Sequence, residues 1–184
     1  MTYTFASNTI GAIDVTTTTT IAPGVSNLPS TVLEAQLGEI RTAWDPTYGY
    51  GEFIYLKIPA STAITANLVY QWTAGYAVAA LPVLATSKNT GHQVAVAPAA
   101  VASSTSVQYG WFQIQGQTPV LKTAVTVSPD SVVYASGTAG RIKVLTSAGG
   151  QITGMRTANA ATVTSTTSTV LCYLNRPAMQ GQIT

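Results

Sequence analysis

A chain of 184 residues and 19.1 kDa is long enough for one domain with a self-sufficient core, because a chain of this size hides roughly 70% of its unfolded surface on folding. Charged residues make up 8% of it, the net charge is +2, and a hydrophobic fraction of 46% with a mean hydropathy of +0.27 excludes a chain disordered throughout. The calculated pI of 8.7 rests on eight Lys and Arg spread without a cluster from Arg41 to Arg176, which argues against direct nucleic-acid binding as the main role.

The first thirty residues differ from the rest. An unbroken run, Thr16, Thr17, Thr18, Thr19 and Thr20, precedes Pro23, Gly24, Ser26, Asn27, Pro29 and Ser30. β-Branched threonine favours extended backbone, and the Pro/Gly/Ser/Asn mixture punctuates a chain rather than packing it. Residues 1–30 therefore read as an extended N-terminal arm, with a strand around Ile10–Ile21, and residues 31–184 as a single β-domain. Thr31–Leu37 has room for one helical turn, which Gly38 ends and which is too short to stand alone.

Strand signals follow. Glu39–Trp44 leads into the turn-rich stretch Asp45–Gly51, and Glu52–Ile58 alternates, with Phe53 and Tyr55 on one side and Ile54, Leu56 and Ile58 on the other; together they predict a hairpin with a long loop. Asn67–Trp72, Tyr76–Ala79 and Gln93–Ala97 are short strand candidates between Gly, Pro and Ser/Thr clusters. Val120–Val127 and Ser131–Ala135 predict a second hairpin about Ser128-Pro129-Asp130-Ser131, where Pro129 presets a turn dihedral and Asp130 can bond its own backbone. Arg141–Leu145, Gln151–Thr153, Ala161–Thr164 and Thr169–Asn175 complete about ten strands. No stretch of ten residues keeps a helical period. The fold class expected is all-β, an antiparallel β-sandwich or barrel of jelly-roll-like form, closed to protect its strand edges. The expected core is Ile54, Leu56, Ile58, Val69, Phe112, Ile114, Leu121, Val125, Val127, Val133, Ile142, Val144, Val170, Cys172 and Leu174.

Chemistry-bearing residues are few. His92 is the single histidine and sits in the turn Asn89–His92; Cys172 is the single cysteine and reads as a buried strand thiol, so no intrachain disulfide can form, in keeping with a reducing cytoplasm. No G-x-S-x-G elbow accompanies a serine, and one Cys with one His cannot furnish a four-ligand zinc site. Asp45 and Glu52, flanking one loop, are the one carboxylate pair placed for acid/base work or a cation; the plainer reading gives Asp45 a turn and Glu52 a solvent-facing strand position. Gly137–Arg141 lacks the Lys-Ser/Thr ending of a phosphate loop and reads as a β-turn. The expectation is a non-enzyme with no catalytic, cofactor or metal residues. The N-terminus shows no secretory signal, and the best apolar run, Val78–Ala85, falls short of the ~18 residues of a membrane span.

Two aromatic groups remain: Trp44, Tyr48, Tyr50, Phe53 and Tyr55 about the first hairpin, and Tyr109, Trp111 and Phe112. Phe53 and Phe112 suit a core. Trp44, Tyr48, Tyr50, Tyr109 and Trp111, with Thr16–Thr20, are the candidate interface residues, since Tyr and Trp offer large rigid contact area; the same aromatics could line a sugar-binding face. A surface with so little charge suits a protein packed against copies of itself or a partner.

Leu37-Gly38-Glu39-Ile40-Arg41, the loop Tyr48-Gly49-Tyr50-Gly51, the strand Glu52–Lys57, the segment Tyr109–Gly116, Gly137-Thr138-Ala139-Gly140 and the ending Leu174-Asn175-Arg176-Pro177 stand in an order that resembles small decoration, or cement, proteins of tailed bacteriophages. The resemblance spans residues 37–177 and leaves the arm uncovered. It implies a structural virion protein made in the host cytoplasm. Such a protein sits on the capsid surface, bound to the major capsid protein and to itself, as a trimer before a dimer. It needs no cofactor and touches no membrane. A carbohydrate-binding or adhesin-like module of a phage spike or head fibre shares the same all-β, Thr-rich, aromatic character, and a polysaccharide-degrading enzyme is the third class, disfavoured by the scarcity of carboxylates.

Overall fold

The computed structural model describes residues 35–182 together with the strand pair Thr4–Phe5. Along the chain run β1 (Thr4–Phe5), β2 (Ile40–Asp45), β3 (Gly49–Ile58), β4 (Val69–Trp72), β5 (Val78–Ala80), the four-residue helix α1 (Leu84–Ser87), β6 (Val94–Val96), β7 (Gln108–Leu121), β8 (Val132–Ala135), β9 (Ile142–Lys143), β10 (Gln151–Thr157) and β11 (Thr169–Met179). The protein is nearly all-β: one antiparallel sheet, ordered β1-β2-β3-β7-β11-β10-β8-β9, curls into a half-barrel, the form taken by the expected sandwich or barrel. A side branch of β5, β4 and β6 joins it at β7. The arm over residues 1–30, the strand at Ile10–Ile21 and the Thr16–Thr20 run lie outside the described residues, apart from Thr4–Phe5, which pair with Trp44 and Ala43.

The first hairpin is tighter than its composition suggests. β2 and β3 stay in register out to Asp45 and Gly49, leaving a loop of Pro46, Thr47 and Tyr48. The buried Asp45 carboxylate accepts the amides of Thr47 (2.7 Å) and Tyr48 (2.9 Å) at Oδ1, and Gly49, at φ +76°, supplies the left-handed residue that closes a three-residue loop. Asp45 thus has the turn role expected of it.

The centre of the sheet is β7. Its first half pairs with β3 from Gln108 to Gln115, and its second half with β11 from Gln115 to Leu121. At the changeover the register slips by one residue, between Glu52 opposite Gln115 and Phe53 opposite Gln113. Gln113 also meets Val96 of β6. Two features hold this branch point. The fully buried Gln113 side chain donates from Nε2 to the carbonyls of Gln115 (3.0 Å) and Gln117 (3.1 Å), which keeps its amide satisfied where no water reaches. Gly116 takes φ +95° and lies so near Tyr50 that a Cβ would sit 2.4 Å from its carbonyl oxygen.

Both faces of β3 are buried beyond Glu52. Ile54, Leu56 and Ile58 join Phe112, Ile114 and Tyr70 in one cluster, while Phe53 and Tyr55 join Ala43 and Trp111 in another. A third and larger cluster packs Val120, Val170, Cys172 and Leu174 with Val133, Ile142, Ile152 and Met155. Of the expected core, Leu121, Val125 and Val144 are partly buried and the rest buried.

The second predicted hairpin does not form. Val120 and Leu121 end β7 and pair with Val170 and Thr169, and β8 pairs with β9 and β10 instead. The Pro129–Asp130 turn is present, with Asp130 at φ +53° and Ser131 Oγ donating to the Ser128 carbonyl at 2.9 Å, but it only redirects the chain. Just beyond β7 the fully buried Lys122 bridges Ile142, and its ammonium donates to the carbonyls of Val125 (2.9 Å), Thr164 (2.9 Å) and Thr166 (2.5 Å). That cage satisfies all three protons and pins the crossing segment to the 164–166 loop, so Val127 meets Val163 in an isolated bridge rather than β8 in a ladder. Ala161–Thr164 contributes that bridge and no strand. Arg141–Leu145 shortens to the two residues of β9, while Gln151–Thr153 and Thr169–Asn175 lengthen into β10 and β11.

Candidate functional site

Among the described residues, the most exposed aromatic surface is the tip of the β2–β3 hairpin. Trp44 and Tyr50 are cross-strand partners, so both project to one side of the ribbon, and they are 44% and 66% exposed. Period-two alternation places Ile40 and Thr42 on that same side, and both are exposed. Tyr48 is half-buried in the loop. Further in, Glu52 is held by Arg176 of β11 through Nε at 3.1 Å and Nη2 at 3.0 Å, rather than standing free in solvent. Arg176 reaches it from a bulge: it takes φ +45°, and the β10–β11 register slips between Thr153 and Met155.

The other candidate interface residues go elsewhere. Trp111 is 6% exposed and packs inside the domain against Tyr55, with ring centroids 4.9 Å apart; Tyr109 stacks on the other end of Tyr55 at 6.1 Å and 19°. The Arg41 guanidinium lies 5.5 Å from the Trp111 ring centre and pairs with Glu39 at 2.5 Å. Trp111 therefore anchors the interior of the half-barrel and Tyr109 its margin, whereas Trp44 and Tyr50 stay at the surface. The eight residues from Trp44 to Gly51 form one tip; β7 carries Tyr109 and Trp111 to the opposite, buried side of β3. Thr16, Thr17, Thr18, Thr19 and Thr20 lie outside the described residues.

The ionisable groups are dispersed. Among the described residues no three of His, Cys, Asp and Glu gather closely enough to hold a metal ion. Asp45 is engaged in its turn and Glu52 in its ion pair. Cys172 is fully buried, and burial pushes its thiol well above the ordinary range. Burial also raises the Tyr70 phenol, partly offset by the Thr65 amide that donates to its oxygen at 2.8 Å. Burial pushes the Lys122 ammonium below the usual lysine value.

A concave feature that no local sequence pattern marks lies elsewhere. Trp72, Thr73 and Tyr76 from the β4–β5 turn face Gly91, His92 and Gln93 ahead of β6 across an open pocket of about 370 Å³. His92 Nδ1 lies 3.1 Å from Gln71 Oε1 and links the two walls. Twenty residues separate Trp72 from His92; the pairing of β4 with β6 brings them together. The unusual backbone of Tyr76, at φ +55°, is the sign of it that only coordinates supply.

No protein-family model matches the chain, and no curated protein is significantly similar to it.

Proposed function

We propose that the protein is a structural virion component that binds the outside of a tailed-phage capsid and cements neighbouring capsomers against the pressure of packaged DNA. The observation that carries this reading is the hairpin tip, where Trp44 and Tyr50 stand paired and exposed on β2 and β3. Rigid aromatics lose little conformational freedom on docking and are the commonest anchors of protein interfaces. The sparse charge of the chain suits a surface spent in contact, and an oligomer touching several capsid subunits gains avidity beyond any single contact. The assembled unit is a trimer on this reading, with a dimer as the alternative.

The test is direct. Purified virions of the encoding phage should contain the chain at a copy number comparable to the major capsid protein, and the double variant Trp44→Ala/Tyr50→Ala should fold but occupy particles far more sparsely. Virions without the chain, or undiminished occupancy by the double variant, would overturn the proposal. The pocket at Trp72 and His92 favours a second reading, a sugar-binding β-module.

A further inference from the structure

The pocket between the β4–β5 turn and the 91–93 segment has the chemistry of one ligand class. Its lining includes two aromatic residues, Trp72, which also packs against the Ile54 and Phe112 cluster, and Tyr76, whose ring tip lies against Gly38. Thr73 and Gln93 offer neutral donors and acceptors, His92 adds ring nitrogens, and Asp, Glu, Lys and Arg are absent from its lining. At about 370 Å³ it falls in the size range of small-molecule sites. A ligand with one apolar face and a rim of hydroxyls matches both halves of that inventory, whereas a phosphate or carboxylate finds neither Lys nor Arg there.

The walls are held in place by backbone bonds rather than by the ligand. On one side the Tyr76 amide donates to the Thr73 carbonyl (2.8 Å), the Thr73 amide to Ala77 (3.1 Å), and the Lys57 amide to the Tyr76 carbonyl (2.9 Å). On the other, the Met179 amide donates to the His92 carbonyl (2.8 Å), and Gln93 bridges to Ala178. Tyr76 keeps a left-handed backbone that a bulky residue adopts only under constraint, and its ring rests on Gly38, where a Cβ would come within 2.4 Å of Tyr76 Cζ. Because the Gln71 amide oxygen only accepts, His92 Nδ1 is the donor of that bond, which leaves Nε2 as an acceptor for a hydroxyl in the neutral ring.

We infer that this pocket binds a single neutral pyranose unit of a glycan, stacked on Trp72 and Tyr76 and oriented by His92 and Gln93. The open shape implies weak binding per site, so useful strength comes from several copies presented together. The inference deepens the second, sugar-binding reading and rests on it, while it stands or falls separately from the capsid reading.

The experiment uses the full chain and a panel of neutral probes: glucose, galactose, mannose, N-acetylglucosamine and their disaccharides. Saturation-transfer NMR and titration should show at least one of them binding in the millimolar range. His92→Ala should weaken that binding about tenfold or more. Tyr76→Gly, whose glycine suits the left-handed backbone, should abolish it, and both variants should melt close to the parent. The inference is overturned if no probe in the panel binds, if both variants bind as the parent does, or if binding is lost instead in Trp44→Ala/Tyr50→Ala.

Discussion

Replacing Lys122 by Met tests how far one buried cation organises the connection between β7 and β8. The ammonium satisfies three main-chain carbonyls, from Val125, Thr164 and Thr166, and is 0% exposed. A hydrogen bond from a charged donor contributes about 1.5–3 kcal/mol, so the gross loss is about 5–9 kcal/mol. Two terms reduce it. Methionine keeps most of the aliphatic stem and removes the desolvation cost of the charge, and residues 164 and 166 are exposed enough for water to reach their carbonyls. The Val125 carbonyl has less access, and the crossing segment loses its anchor. A net destabilisation of about 2–4 kcal/mol follows, or about 5–15 °C in Tm for a domain of this size. Thermal and urea unfolding followed by circular dichroism measure it directly. Burial lowers the folded-state value of Lys122 below the 10.5 of an ordinary lysine. The unfolded chain therefore binds the proton more tightly, and over the alkaline range up to 10.5 the stability of the parent relative to Lys122→Met should rise with pH. A variant melting with the parent would refute the anchoring argument, and a relative stability that falls with pH would refute the direction of the shift.

Three further outcomes are expected. Gly116→Ala should cost at least about 1–3 kcal/mol from its left-handed backbone alone, with more from the collision with the Tyr50 carbonyl, whereas Gly49→Asn, at a similar φ with open space around it, should shift Tm by a degree or two at most; comparable losses in thermal melts would refute the close-approach reading. The Cys172 thiol, buried and pushed upward, should resist a thiol reagent at neutral pH until the chain is unfolded in urea, and rapid labelling of the native protein would contradict its burial. Trp44→Ala/Tyr50→Ala should leave the Tm of the isolated chain within a few degrees of the parent, since cross-strand pairs contribute only about 0.2–1 kcal/mol; a large loss would make the tip a structural element instead of a docking one.

Sequence patterning located most of the strands because their signals are local. Ile54, Leu56 and Ile58 alternate against polar or aromatic neighbours, and Pro, Gly and Asn mark the breaks. Phe53 reads as core on the side opposite Ile54, but the full burial of Tyr55 beside it is not legible, since a strand tyrosine looks the same whether it faces solvent or a second cluster. β7 was hidden for a different reason: Gln108, Gln113, Gln115, Gln117 and Thr118 dilute its apolar pattern, yet Gln113 and Thr118 are fully buried, and Gln113 satisfies carbonyls of its own strand. At Val120–Ala135 the local chemistry of Pro129 and Asp130 marks the turn but not the pairing, because the partners of Val120 and Leu121 are Val170 and Thr169, about fifty residues away. The aromatic tip was legible as a cluster of types. The burial of Trp111 and the meeting of Trp72 with His92 depend on which strands lie side by side, and no local pattern encodes that.

The double allegiance of β7 bears on how the chain reaches its native state. Its first half can dock on β3 once residues up to Gln115 have been made, but its second half has its partner in β11, the last strand described. Until that partner emerges from the ribosome, the β7 residues Gly116, Thr118 and Val120 present an unpaired edge, and β10 lacks the neighbour that joins it to the rest. Loop closure over such distances is slow, and an open edge meanwhile invites pairing with other nascent copies. Folding of this protein should therefore finish with a late step in which β11 inserts between β7 and β10 and commits the two halves of the sheet to one another.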